Sequence, residues 1–168
     1  RTLKKNPLSA KDGWSPLHFA AQAGHLQVYQ FLDPSDPTNP YNPTVTGVTP
    51  LHLAAAKGHL HIYEFICMNL ANKNPPMAES VTPLHVAAKF GHFEVSQFIC
   101  NNILDHNPQR SDGGTPLDNA ILSGNFRIAN LIVENTNDEN LLNFGNTVKI
   151  FCFLWIVNLA ILSYRLYT

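Results

Sequence analysis

Charge is scarce in this sequence. Asp, Glu, Lys and Arg together make up 14% of its 168 residues, against about 25% in an average soluble protein. Eleven basic residues nearly balance twelve acidic ones, leaving a net charge of −1. Such a balance provides no field to draw in nucleic acid or an anionic membrane. Cysteine is almost as rare. Cys67, Cys100 and Cys152 are odd in number and far apart, so they build no disulfide framework. They suit a reducing compartment, and a cytoplasmic location is expected. Between Arg1 and Thr147 no apolar run is long enough to cross a bilayer. The opening RTLKKNPLSA lacks the apolar stretch of a signal peptide. The first residue is Arg1 rather than Met, so the chain is expected to be a fragment of a longer protein. There is no glycine-rich phosphate loop, no nucleophile–base pattern and no pair of carboxylates set for acid–base work. No enzyme and no cofactor are expected. What remains is 45% hydrophobic, enough for the core of one ordinary domain.

What is present is a repeat. WSPLHFAAQAGHLQV from Trp14, VTPLHLAAAKGHLHI from Val48, VTPLHVAAKFGHFEV from Val81 and GTPLDNAILSGNFRI from Gly114 align without gaps. Their prolines, Pro16, Pro50, Pro83 and Pro116, are 34, 33 and 33 residues apart, and Gly24, Gly58, Gly91 and Gly124 keep the same steps. The physics of one unit is legible. Ser15, Thr49, Thr82 and Thr115 offer a hydroxyl to cap a helix, and the following Pro loses nothing by having no N–H there. Small pairs such as Ala54–Ala55 let helices approach closely, and a Gly then ends the helix in a left-handed conformation. A second helix follows, apolar on one face, as in Leu60, Ile62, Tyr63 and Ile66. An Asn-Pro pair then stops it, at Asn74-Pro75 and Asn107-Pro108 for example.

This wording at this period resembles the ankyrin repeat, a β-turn plus two helices per unit. The resemblance runs from about Arg1 to Thr147. It implies an all-α solenoid of helix pairs with β-turn fingers along one edge. Helices this short are not stable alone and are buried only by stacking. The expected organisation is the tail of a truncated preceding repeat at 1–7, three repeats at 8–40, 41–73 and 74–106, and a divergent repeat at 107–135. The start of a further repeat follows at 136–147, since Gly145 and Thr147 echo Gly113 and Thr115.

Residues 148–168 break the pattern. Val148-Lys149-Ile150 stands where Pro-Leu-His is due. Three readings of this apolar tail stay open. As a membrane anchor it is short: Ile150 to Leu162 is 13 residues, roughly 20 Å of helix against a hydrocarbon core of about 30 Å. As a cap on the solenoid it lacks a polar outer face. As translated non-coding sequence, Val-Lys would follow from an intron that starts GTAAA.

Eight histidines invite a metal reading. Residues one repeat apart form a ladder with rungs about 8–10 Å apart, so they cannot converge on one tetrahedral ion, and no metal site is expected. The resemblance implies instead that His18, His52 and His85 bond the backbone of the neighbouring finger. Cys67 and Cys100 occupy equivalent positions, too far apart for a disulfide, and are expected to be buried thiols.

The resemblance also implies where another protein would be gripped: the finger tips and the exposed face of each first helix. These positions are Lys11, Asp12, Trp14 and Gln22 in the first unit and Thr46, Val48 and Lys57 in the second. Glu79, Val81, Lys89 and Phe90 follow in the third, and Ser111, Asp112 and Leu122 in the fourth. Trp14 and Phe90 are the natural anchors, although Trp14 equally suits packing against its own surroundings. The expected function is a protein-binding scaffold. The alternative is the cytosolic array of a membrane protein anchored from near Val148. One departure stands out. Ser80 occupies the finger position held by Gly13, Gly47 and Gly113. If that position needs a positive φ, the third finger is strained or differently turned.

Overall fold

The computed structural model describes residues 12–32, 43–68 and 70–136. The expectations for Lys11, for 1–7 and for 137–168 lie outside these residues. Among the described residues there are eight α-helices and no strands. They come in pairs: α1 (Pro16–Ala23) with α2 (Leu26–Phe31), α3 (Pro50–Lys57) with α4 (Leu60–Cys67), α5 (Pro83–Phe90) with α6 (Phe93–Cys100), and α7 (Pro116–Leu122) with α8 (Phe126–Asn135). The first helices α1, α3, α5 and α7 pack successively into one row, and α2, α4, α6 and α8 into a second. No helix among the described residues is long and apolar enough to cross a membrane.

Each first helix starts the way its sequence demands. Ser15, Thr49, Thr82 and Thr115 hold extended backbone at the N-cap, and Pro opens the helix. In the first three units the short hydrogen bond of the hydroxyl joins the histidine Nδ1, at 2.8 Å for Ser15–His18 and 2.9 Å for Thr49–His52 and Thr82–His85. In the fourth, Thr115 Oγ1 accepts the N–H of Asp118 at 3.2 Å, while the Asp118 carboxylate takes the Thr115 N–H at 2.8 Å. That is a reciprocal capping box built from a carboxylate. A second capping residue comes from the preceding linker. Asn74 Oδ1 accepts the Leu84 N–H at 2.9 Å, and Asn107 Oδ1 accepts the Leu117 N–H at 3.1 Å. These N–H groups belong to the first turns of α5 and α7, where no helical carbonyl can reach them.

Gly24, Gly58 and Gly91 end α1, α3 and α5 with φ of 79°, 72° and 81°. The fourth unit differs: α7 stops at Leu122, Ser123 caps it with φ −91°, and Gly124 follows.

The core is a ladder of equivalent residues. Leu17, Leu51, Leu84 and Leu117 are buried, as are the alanine pairs that follow them in the first three units. The second row contributes Tyr29, Ile62, Tyr63, Val95, Ile99, Ile128 and Ile132. Each such side chain contributes about 1.5–3 kcal/mol by leaving water. Aromatic edges repeat along it: Tyr29 meets Phe65 at 6.2 Å and 81°, and Tyr63 meets Phe98 at 6.0 Å and 77°. Cys67 and Cys100 lie buried and unbonded to each other, and burial pushes both thiols up to about 12. Ile121, which replaces the second alanine, stays half-buried at the last described step of the first row, and its extra bulk meets no further helix among the described residues.

Candidate protein-binding face

The fingers form from backbone hydrogen bonds. Thr44, Met77 and Arg110 donate their N–H to the carbonyls of Val48, Val81 and Gly114 at 2.9, 2.7 and 2.8 Å. Neighbouring fingers are joined side by side. Val45 donates to Asp12 O at 3.2 Å, Ala78 to Thr46 O at 3.0 Å and Ser111 to Glu79 O at 2.9 Å. Gly13, Gly47 and Gly113 have φ of 71°, 79° and 85°, so this position does need the left-handed region. Ser80 adopts φ 60° there, and Glu79 before it also has φ 60°. The third finger keeps its hydrogen bonds and accepts the strain at two side-chain-bearing residues.

Two sets of side chains fasten each unit to the next. The first runs forward: Nε2 of His18, His52 and His85 meets the carbonyls of Val48, Val81 and Gly114 at 3.1, 3.2 and 3.3 Å. A carbonyl only accepts, so Nε2 carries the proton. Nδ1 then accepts the N–H of Ser15, Thr49 and Thr82 at 3.2, 3.3 and 3.2 Å. Burial lowers the pKa of all three imidazoles, His52 to about 4, although the carbonyl bond opposes the shift. The second set runs backward. His59 Nε2 donates to Gln22 O at 3.2 Å and His92 Nε2 to Ala56 O at 3.0 Å. In the fourth unit Asn125 takes the histidine's place, and its Nδ2 donates to Ala88 O at 2.8 Å and Lys89 O at 3.1 Å. These carbonyls sit at helix C-termini, where no N–H of the helix remains for them.

The fingers and first helices bound a shared hollow. A cavity of ≈ 350 Å³ opens between the second and third fingers and the exposed sides of α3 and α5. Its apolar wall is Val48, Leu53, Ala56, Met77, Val81 and Val86. Lys89, Phe90 and Arg110 also line it. A larger hollow of ≈ 610 Å³ lies between the linkers after α4 and α6 and contains no residue of a first helix.

The structure brings Val48, Val81, Lys89 and Phe90 together around the smaller cavity. Phe90 is 57% exposed and its ring lies 5.8 Å from the Lys89 ammonium. Asp12, Thr46, Glu79, Ser111 and Asp112 stand exposed at the tips, and Lys57 is exposed near the end of α3. Leu122 is 85% exposed on α7. Trp14 is half-buried, its ring centroid 5.5 Å from His18 and 5.2 Å from Phe19. Gln22 is half-buried with its carbonyl taken by His59. Sequence reasoning missed Leu53, Val86, Met77 and Arg110. A signal existed for two of them. The residue after PLH changes from Phe19 to Leu53 to Val86 while the motif around it stays constant. Among the described residues, no three His, Cys, Asp or Glu side chains gather as metal ligands.

A family model described as ankyrin repeats (3 copies) matches residues 2–77 and again 69–143. No curated protein matches the chain. With most of its length matched, and with finger, helix pair and glycine recurring in each unit, this chain belongs to the ankyrin-repeat family.

Proposed function

We propose that this chain is a protein–protein interaction scaffold that holds a partner across its finger tips and the exposed face of its first helices. Ankyrin repeats generally mediate protein–protein interaction and are typically not enzymes. The observation that carries the reading to this chain is the shared cavity. Val48 and Val81 of the fingers and Leu53, Val86 and Phe90 of the helices line one hollow. Apolar groups so placed offer contact area that water solvates poorly. The chain as a whole carries a net charge of only −1, which suits a protein partner better than a polyanion.

The test is site-specific photo-crosslinking. A crosslinker at Glu79 or Lys89, on the finger and first-helix side, is expected to trap a protein partner. One at His61, exposed on α4, is expected to trap none. Phe90→Ala should weaken the front cross-link. Equal labelling from both rows of helices, untouched by Phe90→Ala, would refute the reading.

A further inference from the structure

We propose that the cavity between α3 and α5 takes a single apolar side chain from an acidic segment of the partner, and that Lys89 meets a carboxylate beside that side chain. This rests on the scaffold reading and adds the chemistry of the occupant.

Size limits what can enter. At ≈ 350 Å³ the hollow is at the small end of the range for compact ligands, about 300–1,000 Å³. It has room for one Leu, Phe or Trp side chain and not for a whole helix. Its walls suit such a group. Val48, Met77 and Val81 come from the fingers, and Leu53, Ala56 and Val86 from the helices. Met77 adds an adaptable, polarisable surface. The two lining imidazoles, His52 and His85, are committed to Val81 and Gly114 and compete for nothing the partner brings.

Charge then selects the neighbours of that side chain. The lining includes two cations, Lys89 and Arg110, and no carboxylate. Arg110 Nη2 is held by Asp112 at 3.1 Å, while its Nε is buried and meets no acceptor. Lys89 is exposed, with the Phe90 ring rather than a carboxylate beside it. Lys57, exposed near the end of α3, extends the positive side. Of the carboxylates of this face, Asp12, Glu79 and Asp112 stand out at the finger tips, and Asp118 is held at the start of α7 by the N–H and hydroxyl of Thr115. An acidic segment is therefore repelled at the tips and attracted toward the helices. The partner's carboxylate belongs on the helix side of the apolar anchor, and that direction gives the site its specificity.

The experiment selects short random peptides, displayed on phage, on the intact chain. Peptides with Asp or Glu next to a single large apolar residue are expected to dominate. One such peptide, synthesised, should bind about tenfold more weakly to Lys89→Glu, and weaken as salt rises. Lys89→Arg should retain binding, and Val86→Glu should abolish it. Lys89 is exposed, so an unchanged thermal unfolding curve shows that Lys89→Glu acts on the surface alone. Basic or uncharged winners overturn the proposal. So do winners that ignore Lys89 and Val86 but lose binding in Leu122→Glu or Glu79→Lys, which would leave the scaffold reading standing. No winners at all, or winners insensitive to every one of these changes, overturn both.

Discussion

His52 reaches from its own helix to the carbonyl of Val81 in the next unit, 3.2 Å from Nε2, while its Nδ1 receives the N–H of Thr49. Both ring nitrogens are occupied in a way only the neutral imidazole satisfies. A second proton on Nδ1 would face the Thr49 N–H, donor against donor.

Stability should therefore depend on pH through these histidines. The folded chain holds the His52 pKa at about 4, below its ordinary 6.5, and lowers His18 and His85 as well. The unfolded chain then binds more protons as pH falls. Stability is full above about 6.5, is lost between there and about 4, and levels off below, where the folded form is charged too. For His52 alone the loss is on the order of 3 kcal/mol. Urea unfolding midpoints at pH 7.5, 6 and 5 should fall in that order. A flat series would contradict the neutral, doubly bonded imidazoles.

The third finger should be improvable. Ser80 has φ 60° where the other fingers use glycine. Ser80→Gly should stabilise the chain by about 1 kcal/mol, because the left-handed strain removed exceeds the added freedom of the unfolded chain. The reverse change, Gly47→Ser, should destabilise by more than that, since its Cβ would also crowd the backbone at Ala78 N, 3.1 Å away, and Met77 Cα, 3.2 Å away. Thermal unfolding of the two variants checks both signs.

Gly58 and Gly124 share a φ of 72° but not their surroundings. A Cβ on Gly58 would lie 2.5 Å from His92 Nδ1, whereas one on Gly124 meets nothing within 4 Å among the described residues. Gly124→Ala should cost about 1 kcal/mol for the backbone alone. Gly58→Ala should cost about 3 kcal/mol, since the imidazole must also give way. Equal losses in chemical denaturation would mean that His92 does not sit against the glycine.

Asn74 and Asn107 should behave as helix caps, although each lies ten residues before the N–H it serves. Asn74→Ala should lower stability by about 1 kcal/mol, and Asn107→Ala by about the same. Hydrogen exchange at the Leu84 and Leu117 amides should speed up in the matching variant only.

The helices were legible because each unit states its start, its small pair and its stop in the same words. Pro83 and Gly91 are local signals whose physics needs no partner, and the pair Ala87–Ala88 marks where a neighbouring helix must come close. The caps from Asn74 and Asn107 were not legible in this way. Beside a proline, an asparagine reads first as a linker stop, and its second use depends on a helix start folding back onto it. Asn125 stands where the two preceding units have His59 and His92, yet its amide donates to Ala88 and Lys89 as His92 donates to Ala56. The motif position needs a donor of the right reach, and an amide suffices. On the candidate face, Phe90 was readable as an exposed aromatic. Arg110 was not, because its place at the cavity depends on how the fourth finger lies against the third.

The paired fastenings have a mechanical consequence. At every joint one side chain reaches forward to a finger, as His52 does to Val81, and another reaches back to a helix end, as His92 does to Ala56. A joint pinned at one point can pivot. A joint pinned at two separated points resists rotation, so bending must be shared as small shears along the whole stack. Under the scaffold reading, the surface offered to a partner is then set before any partner arrives, and little order has to be gained when the two meet.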